Sequence, residues 1–118
     1  MNEKMTKPTI IQLSEYDITQ KIIEALTNVC TRAVLFSIIH EPKDATQIAH
    51  EVRVSLSSVY KTLSTLEDLA LINVNNYRIS DEGKKIKLYK SKIGQVVITI
   101  KDNEPILSLY ANPGKTDK

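Results

Sequence analysis

Hydrophobic residues recur along this chain with two different periods, and the change between them falls near residue 71. Upstream, apolar positions repeat every three or four residues, as on one face of a helix; downstream they alternate with polar ones, as in a strand. Ile18, Ile22, Ala25, Leu26 and Val29 predict a first helix over residues 15–29, with Ser14 as its N-cap and Asp17 in its first turn. Before it, residues 9–13 (TIIQL) read as a short strand or as a lead-in lying on the core. A second helix is predicted near Thr31, where Ala33, Val34, Leu35, Phe36, Ile38 and Ile39 suggest burial on most sides. Pro42 sets its end, because the residue before a proline is pushed out of helical geometry. Asp44 opens a short third helix with Ile48, Ala49 and Val52 on one face. Arg53, Val54 and Ser55 form a tight break, and Ser55 or Ser57 caps a fourth helix. Val59, Leu63, Leu66, Leu69 and Ala70 make its apolar stripe, and it ends at about Leu71.

Beyond that point Ile72 and Val74, Tyr77 and Ile79, and Ile86 and Leu88 alternate with polar neighbours. Two arrangements are open. Strands over 71–79 and 84–92 would meet at a turn on Asp81, Glu82 and Gly83. Alternatively, Asn75 and Asn76 make a two-residue hairpin turn and a helix runs from Ser80 through the lysines. The alternation and the β-rich continuation suit the first. QVVITI (95–100), a polar turn over 101–104 and residues 105–110 then predict a second hairpin. Its apolar edge needs a cover, either a partner or the 9–13 segment. The chain therefore divides into an N-terminal arm (1–13), a main domain (14–93), a C-terminal hairpin (94–111) that is a candidate dimerisation element, and a tail (112–118).

Composition narrows the classes. At 118 residues the chain has the length of one domain, and its 42% hydrophobic and 25% charged residues exclude wholesale disorder. Only 5% are aromatic, so aliphatic side chains must build the core. No stretch approaches the roughly 20 apolar residues of a membrane span. The opening residues hold no long apolar run and no small-residue cleavage site, so no secretory signal is expected. The lone Cys30 excludes an internal disulfide and a zinc site of paired cysteines. These features fit a reducing, cytoplasmic setting.

The net charge of +2 conceals an asymmetry. Residues 1–60 hold six bases and seven acids; residues 78–101 hold seven bases and two acids, with five lysines between 84 and 92. Concentrated cationic charge suits a polyanion, because each lysine near a phosphate releases condensed counterions. A solvated face decorated for solubility would show the same count, so the preceding segment decides. There, TQIAHEVRVSLSSVYKTLSTLEDLALI has the requirements of two helices crossing at a tight turn. Ala49 is small where the second helix crosses; Ile48, Val52 and Val54 glue the pair; Val59 and Leu63 seat the second helix. Its outward positions are then Ser57, Ser58, Tyr60, Lys61, Ser64 and Thr65. None is acidic and all donate hydrogen bonds, which suits a helix in the major groove of double-stranded DNA. Thr46, Gln47, Arg78, Lys84, Lys85 and Lys87 are the candidates for holding phosphates.

Other chemistry finds little support. Cys30, His40 and His50 are the soft ligands, and their spacing does not compose a zinc site. Ser14, Ser37, Ser55 and Ser80 lack a nucleophile context, and three isolated glycines cannot cradle a phosphate. No metal, cofactor or enzymatic activity is expected.

In this order and spacing, Thr31-Arg32, Ile48-Ala49, Ser55 with Ser57-Ser58-Val59, Leu63, Leu66, Leu71-Ile72, and Gly83 followed by Lys87-Leu88-Tyr89-Lys90 resemble the winged helix-turn-helix transcriptional regulators. The likeness covers about residues 30–93; it is strongest to the ArsR-like group and weaker to the archaeal TrmB-like proteins. It implies an α+β fold of three to four helices and a β-wing, here with the added C-terminal hairpin. It also implies a DNA-binding, nucleoid-associated regulator acting as a homodimer. Arg53 stands where the family often has glycine, and the Cys-x-Cys of metal-sensing members is missing from 45–52, so metal sensing is not implied. The other reading such a fold allows is a protein-docking module of the transcription or replication machinery.

Overall fold

The computed structural model describes residues 10–113. Four helices come first: α1 (Ile10–Leu26), α2 (Val29–Ser37), α3 (Ala45–Val52) and α4 (Leu56–Asp68). Four strands follow as two separate antiparallel ribbons, β1 (Ile72–Ile79) with β2 (Lys85–Ser91), and β3 (Ile93–Lys101) with β4 (Glu104–Ala111). This is the expected α+β plan of helices, wing and C-terminal hairpin.

One core holds the helices and the base of the wing. Ile22 and Leu26 of α1 meet Val34, Leu35 and Ile38 from α2 and its exit, Ile48 of α3, and Val59, Leu63 and Leu66 of α4. Leu71, Ile72, Tyr89 and Ile93 close it from the strands. Val34, Leu35, Ile38, Ile48, Val59 and Leu66 are fully buried, so the helical stripes are filled by branched aliphatics, as the low aromatic content requires.

Three boundaries differ from the pattern-based expectation. Residues 10–13 are helical rather than a strand or lead-in, and Ser14 lies inside α1 instead of capping it; Thr9 lies outside the described residues. Val29 does not extend the α1 stripe. Asn28 caps a new helix, its side chain accepting from the Thr31 N–H, and Val29 at the first position is 71% exposed. The second helix stops at Ser37, well before Pro42. The Ser37 hydroxyl turns back to the Val34 carbonyl at 2.7 Å, and the Lys43 ammonium takes the Ser37 carbonyl at 2.6 Å, satisfying groups at the helix end.

The wing follows the first of the two sequence arrangements. Ser80 and Lys84 close the turn, with Gly83 at φ 82°, and no helix runs through the lysines. Asn75 and Asn76 form no hairpin; the register shifts between Val74 and Asn76, leaving a bulge. In the second ribbon Asp102 (φ 54°) and Asn103 (φ 66°) make the two-residue turn, both left-handed as a twisted hairpin demands. Cross-strand pairing puts Val96 with Leu109, Ile98 with Leu107, and Ile100 with Pro105, so one face of this ribbon is wholly apolar. Val96 and Leu107 rest on the core, while Ile98, Ile100 and Leu109 are exposed. Asn112, read from sequence as the start of a tail, staples the ribbon's base: its side-chain amide donates to the Ile39 and Ser91 carbonyls at 2.8 and 2.9 Å, and its N–H to Lys92. The remainder of that tail, 114–118, lies outside the described residues. No helix among the described residues is long and apolar enough to cross a membrane.

Candidate nucleic-acid interface

The two helices of the turn are held by explicit end chemistry. Asp44 caps α3: its Oδ1 accepts from the Gln47 N–H at 2.7 Å, and the Gln47 side chain accepts from the Asp44 N–H at 2.9 Å. Arg53 ends α3 in the left-handed region (φ 63°, ψ 49°), with the Arg53 and Val54 N–H groups both reaching the Ala49 carbonyl. Ser55, rather than Ser57, caps α4, accepting from the Ser58 N–H at 3.1 Å. The hydroxyls of Ser57 and Ser58 lie within 3.2 and 2.9 Å of it, forming a small serine cluster at the helix start.

Burial of Val59, Leu63 and Leu66 fixes which side of α4 faces out. Ser57, Ser58, Tyr60, Lys61, Ser64 and Thr65 are all exposed, and acids begin only at Glu67 and Asp68. The Thr65 hydroxyl bonds back to the Lys61 carbonyl at 3.3 Å, so its proton is partly committed within the helix.

The wing presents two chemically different faces. Ile79 opposes Lys85 and Tyr77 opposes Lys87, so the two lysines share one side with these exposed apolar residues. The Lys85 ammonium lies 5.2 Å from the centre of the Tyr77 ring, a cation–π contact that holds it in place. Arg78 opposes Ile86, and Asn76 opposes Leu88, on the other side, where Ile86 and Leu88 are half-buried. Lys84 stands exposed at the end of the wing turn.

These elements surround one open cleft of about 860 Å³. Thr46, Gln47 and His50 line it from α3, Tyr60 from α4, and Arg78, Lys85 and Lys87 from the wing, with Asp44 and Tyr89 at its walls. Six of the twelve sequence-predicted residues thus meet here; Ser57, Ser58, Lys61, Ser64 and Thr65 lie on the outer face of α4, and Lys84 at the wing turn. Arg78 is already engaged, its Nη2 donating to Asp44 Oδ2. Sequence reasoning saw Asp44 only as a cap, because its second partner lies 34 residues away. Tyr89, buried in the same wall, has its phenol pKa raised, first by burial and then by the negative charge of Glu67. His40 and His50 are both exposed and Cys30 is half-buried against the core. Among the described residues no three His, Cys, Asp or Glu side chains gather as a metal site.

No family model matches the chain. It is 33% identical over 92 residues to an uncharacterized HTH-type transcriptional regulator of Methanocaldococcus jannaschii, spanning 78% of this chain and 92% of that protein. Among solved structures it is similar to the crystal structure of NolR from Sinorhizobium fredii, with a TM-score of 0.56 over 74% of this chain and 81% of the other. At 22% identity the second likeness speaks for the fold.

Proposed function

The chain belongs to the helix-turn-helix (HTH) type transcriptional regulators, and from that premise we propose that it reads double-stranded DNA in a sequence-specific manner, with α4 in the major groove and the lysine-rich wing on the flanking backbone. The observation that carries this is the single cleft joining Tyr60 of α4 to Lys85 and Lys87 of the wing. An acid-free, donor-rich helix face and a cationic ribbon bordering one concavity match a duplex, whose base edges and phosphates lie side by side. Ser57, Ser58, Tyr60, Lys61, Ser64 and Thr65 face base edges in this reading. Thr46 and Gln47 at the start of α3, with Lys84, Lys85 and Lys87, hold phosphates.

The same reading has the protein act on chromosomal DNA as a homodimer, with recognition helices about 34 Å apart, one turn of the duplex. The β3–β4 ribbon is the proposed dimerisation element. A lone two-stranded ribbon is marginal in water, and this one leaves Ile98, Ile100 and Leu109 bare on a face without charge.

Selection of bound duplexes from a random pool, repeated at two salt concentrations, tests the function. A recovered motif whose two halves repeat about one helical turn apart supports it. Recovery of no preferred sequence, with affinity only at the non-specific level of about 10⁻⁴–10⁻⁶ M, refutes it and favours a protein-docking role.

A further inference from the structure

The sequence offers Arg78 as one more cation for the DNA backbone, but its surroundings assign it other work. We propose that Arg78 and Asp44 form a lock that sets the angle of the wing over α4, making both positioning residues rather than phosphate contacts. The inference rests on the reading that the wing grips DNA.

Above its base, where Ser91 N–H donates to the Ile38 carbonyl at 3.0 Å and Ile72 enters the core, the wing is tied to the helical body at two successive residues, Lys43 and Asp44. The first tether is backbone to backbone: Lys43 N–H donates to the Tyr89 carbonyl at 3.1 Å, and Tyr89 N–H to the Lys43 carbonyl at 2.9 Å. Tyr89 pairs with Val74, so this tether grips the ribbon just below the bulge. The bulge itself leaves Asn75 without a cross-strand partner. Bulges bend a strand and increase its twist, so a wing held only below the bulge, at Tyr89 and Ser91, has a joint directly beyond its attachment. Arg78 lies on the far side of that joint, four residues or roughly 13 Å up the strand from Val74. Its guanidinium reaches back to Asp44, whose side chain is only 5% exposed. Attachments on both sides of a bend fix a direction; attachments on one side alone do not.

The Asp44 carboxylate is built for this role. One oxygen serves the α3 cap through Gln47, and the other takes Arg78. The start of α3 and the slope of the wing are therefore set by one buried group. Arg78 also stands on the half-buried side of the ribbon with Ile86, while Lys85 and Lys87 stand on the opposite side. Removing Arg78 alone would leave a buried acid in a cleft meant for phosphates, mixing two effects. Asp44→Asn/Arg78→Ala avoids this, since it leaves the net charge unchanged and asparagine caps a helix as well as aspartate.

The test has two arms on the full chain. In a Cys30→Ser background, spin labels at Glu82→Cys (wing turn) and Asp68→Cys (end of α4) report the wing angle by pulsed electron paramagnetic resonance, without DNA. A narrow distance distribution that broadens in Asp44→Asn/Arg78→Ala, and is kept narrower by Arg78→Lys, is the expected result. A double variant as narrow as the parent overturns the lock. In the second arm, the slope of log affinity against log salt is measured on a duplex. Lys87→Gln is expected to flatten it by about 0.9, the value of one phosphate contact, and Asp44→Asn/Arg78→Ala to leave it unchanged. Flattening by the same amount in the double variant makes Arg78 a phosphate ligand and overturns the proposal. A parent chain that binds no duplex fails the DNA reading instead, and the first arm still decides the lock.

Discussion

Replacing Lys85 and Lys87 together with alanine probes the electrostatic half of the proposed interface with a magnitude set in advance. Both side chains are exposed on one face of the wing and border the cleft, and neither takes part in a salt bridge among those described. Their removal leaves no buried group unpaired, so the fold should persist. If each neutralises one phosphate, each contributes about 0.9 to the slope of log affinity against log salt, or about 1.8 for the pair. Raising salt fourfold, from 50 to 200 mM, then weakens the parent about 12-fold more than the variant, because four raised to the power 1.8 is about 12. The variant binds less tightly than the parent at low salt, and the gap closes as salt rises. Fluorescence anisotropy with a labelled duplex at three salt concentrations measures both quantities, and Lys101→Ala, a lysine of the second ribbon, is the control with unchanged slope. Parallel salt plots for parent and double variant would refute the reasoning, since the lysines would then lie away from the phosphates. Loss of affinity confined to one sequence would refute it equally, because phosphate contacts carry no base information.

Three further outcomes are expected. Ala70→Gly should raise the melting temperature by about 2–4 °C in calorimetry. Ala70 sits at φ 61° after α4, with its N–H on Glu67 and that of Leu71 on Leu66; relief of roughly 1–2 kcal/mol of left-handed strain exceeds the added freedom of the unfolded chain, and a lowered melting temperature would count against it. Leu63→Ala, at a side chain 1% exposed, should cost about 2–5 kcal/mol in urea denaturation and weaken duplex binding, and a loss below about 1 kcal/mol would show that α4 is not seated by this residue. Tyr89 should ionise above the ordinary phenol range in an ultraviolet titration, identified by the component that Tyr89→Phe removes. With its folded pKa raised, the stability it contributes is complete below the ordinary phenol range near 10 and fades as pH rises through the folded value, so Tyr89→Phe should flatten that alkaline loss of stability; an unchanged alkaline profile would contradict the assignment.

The helix-turn-helix was legible because its constraints are local. Asp44 and Gln47 spell a capping box three residues apart, Ser55 spells a cap, and the stripe of Val59, Leu63 and Leu66 can face only one way. The wing was legible from the alternation of Ile86 and Leu88, which prevailed over the turn signal of Asn75 and Asn76; those two residues became a bulge instead. What failed was judged from single residues taken as boundaries. Ser14 has the chemistry of a cap but sits within a helix, where serine is merely neutral. Pro42 forbids helix before it without requiring helix up to it, and the chain stopped at Ser37. The pairing of Arg78 with Asp44 joins positions 34 apart, so counting charge along a segment does not reveal it.

Among the described residues each strand pairs with the strand next to it in the chain, and the two ribbons share no sheet. The polar ties that span long stretches of sequence include Lys43 with Tyr89, Ser91 with Ile38, Arg78 with Asp44, and Asn112 with Ile39. Pairing within each ribbon closes only a short loop, while the longer closures fall to the core that joins Ile22 to Ile93. Because each ribbon has only two strands, folding itself does not close the sheets, and unpaired strand edges remain in the native molecule as places where a further strand could add.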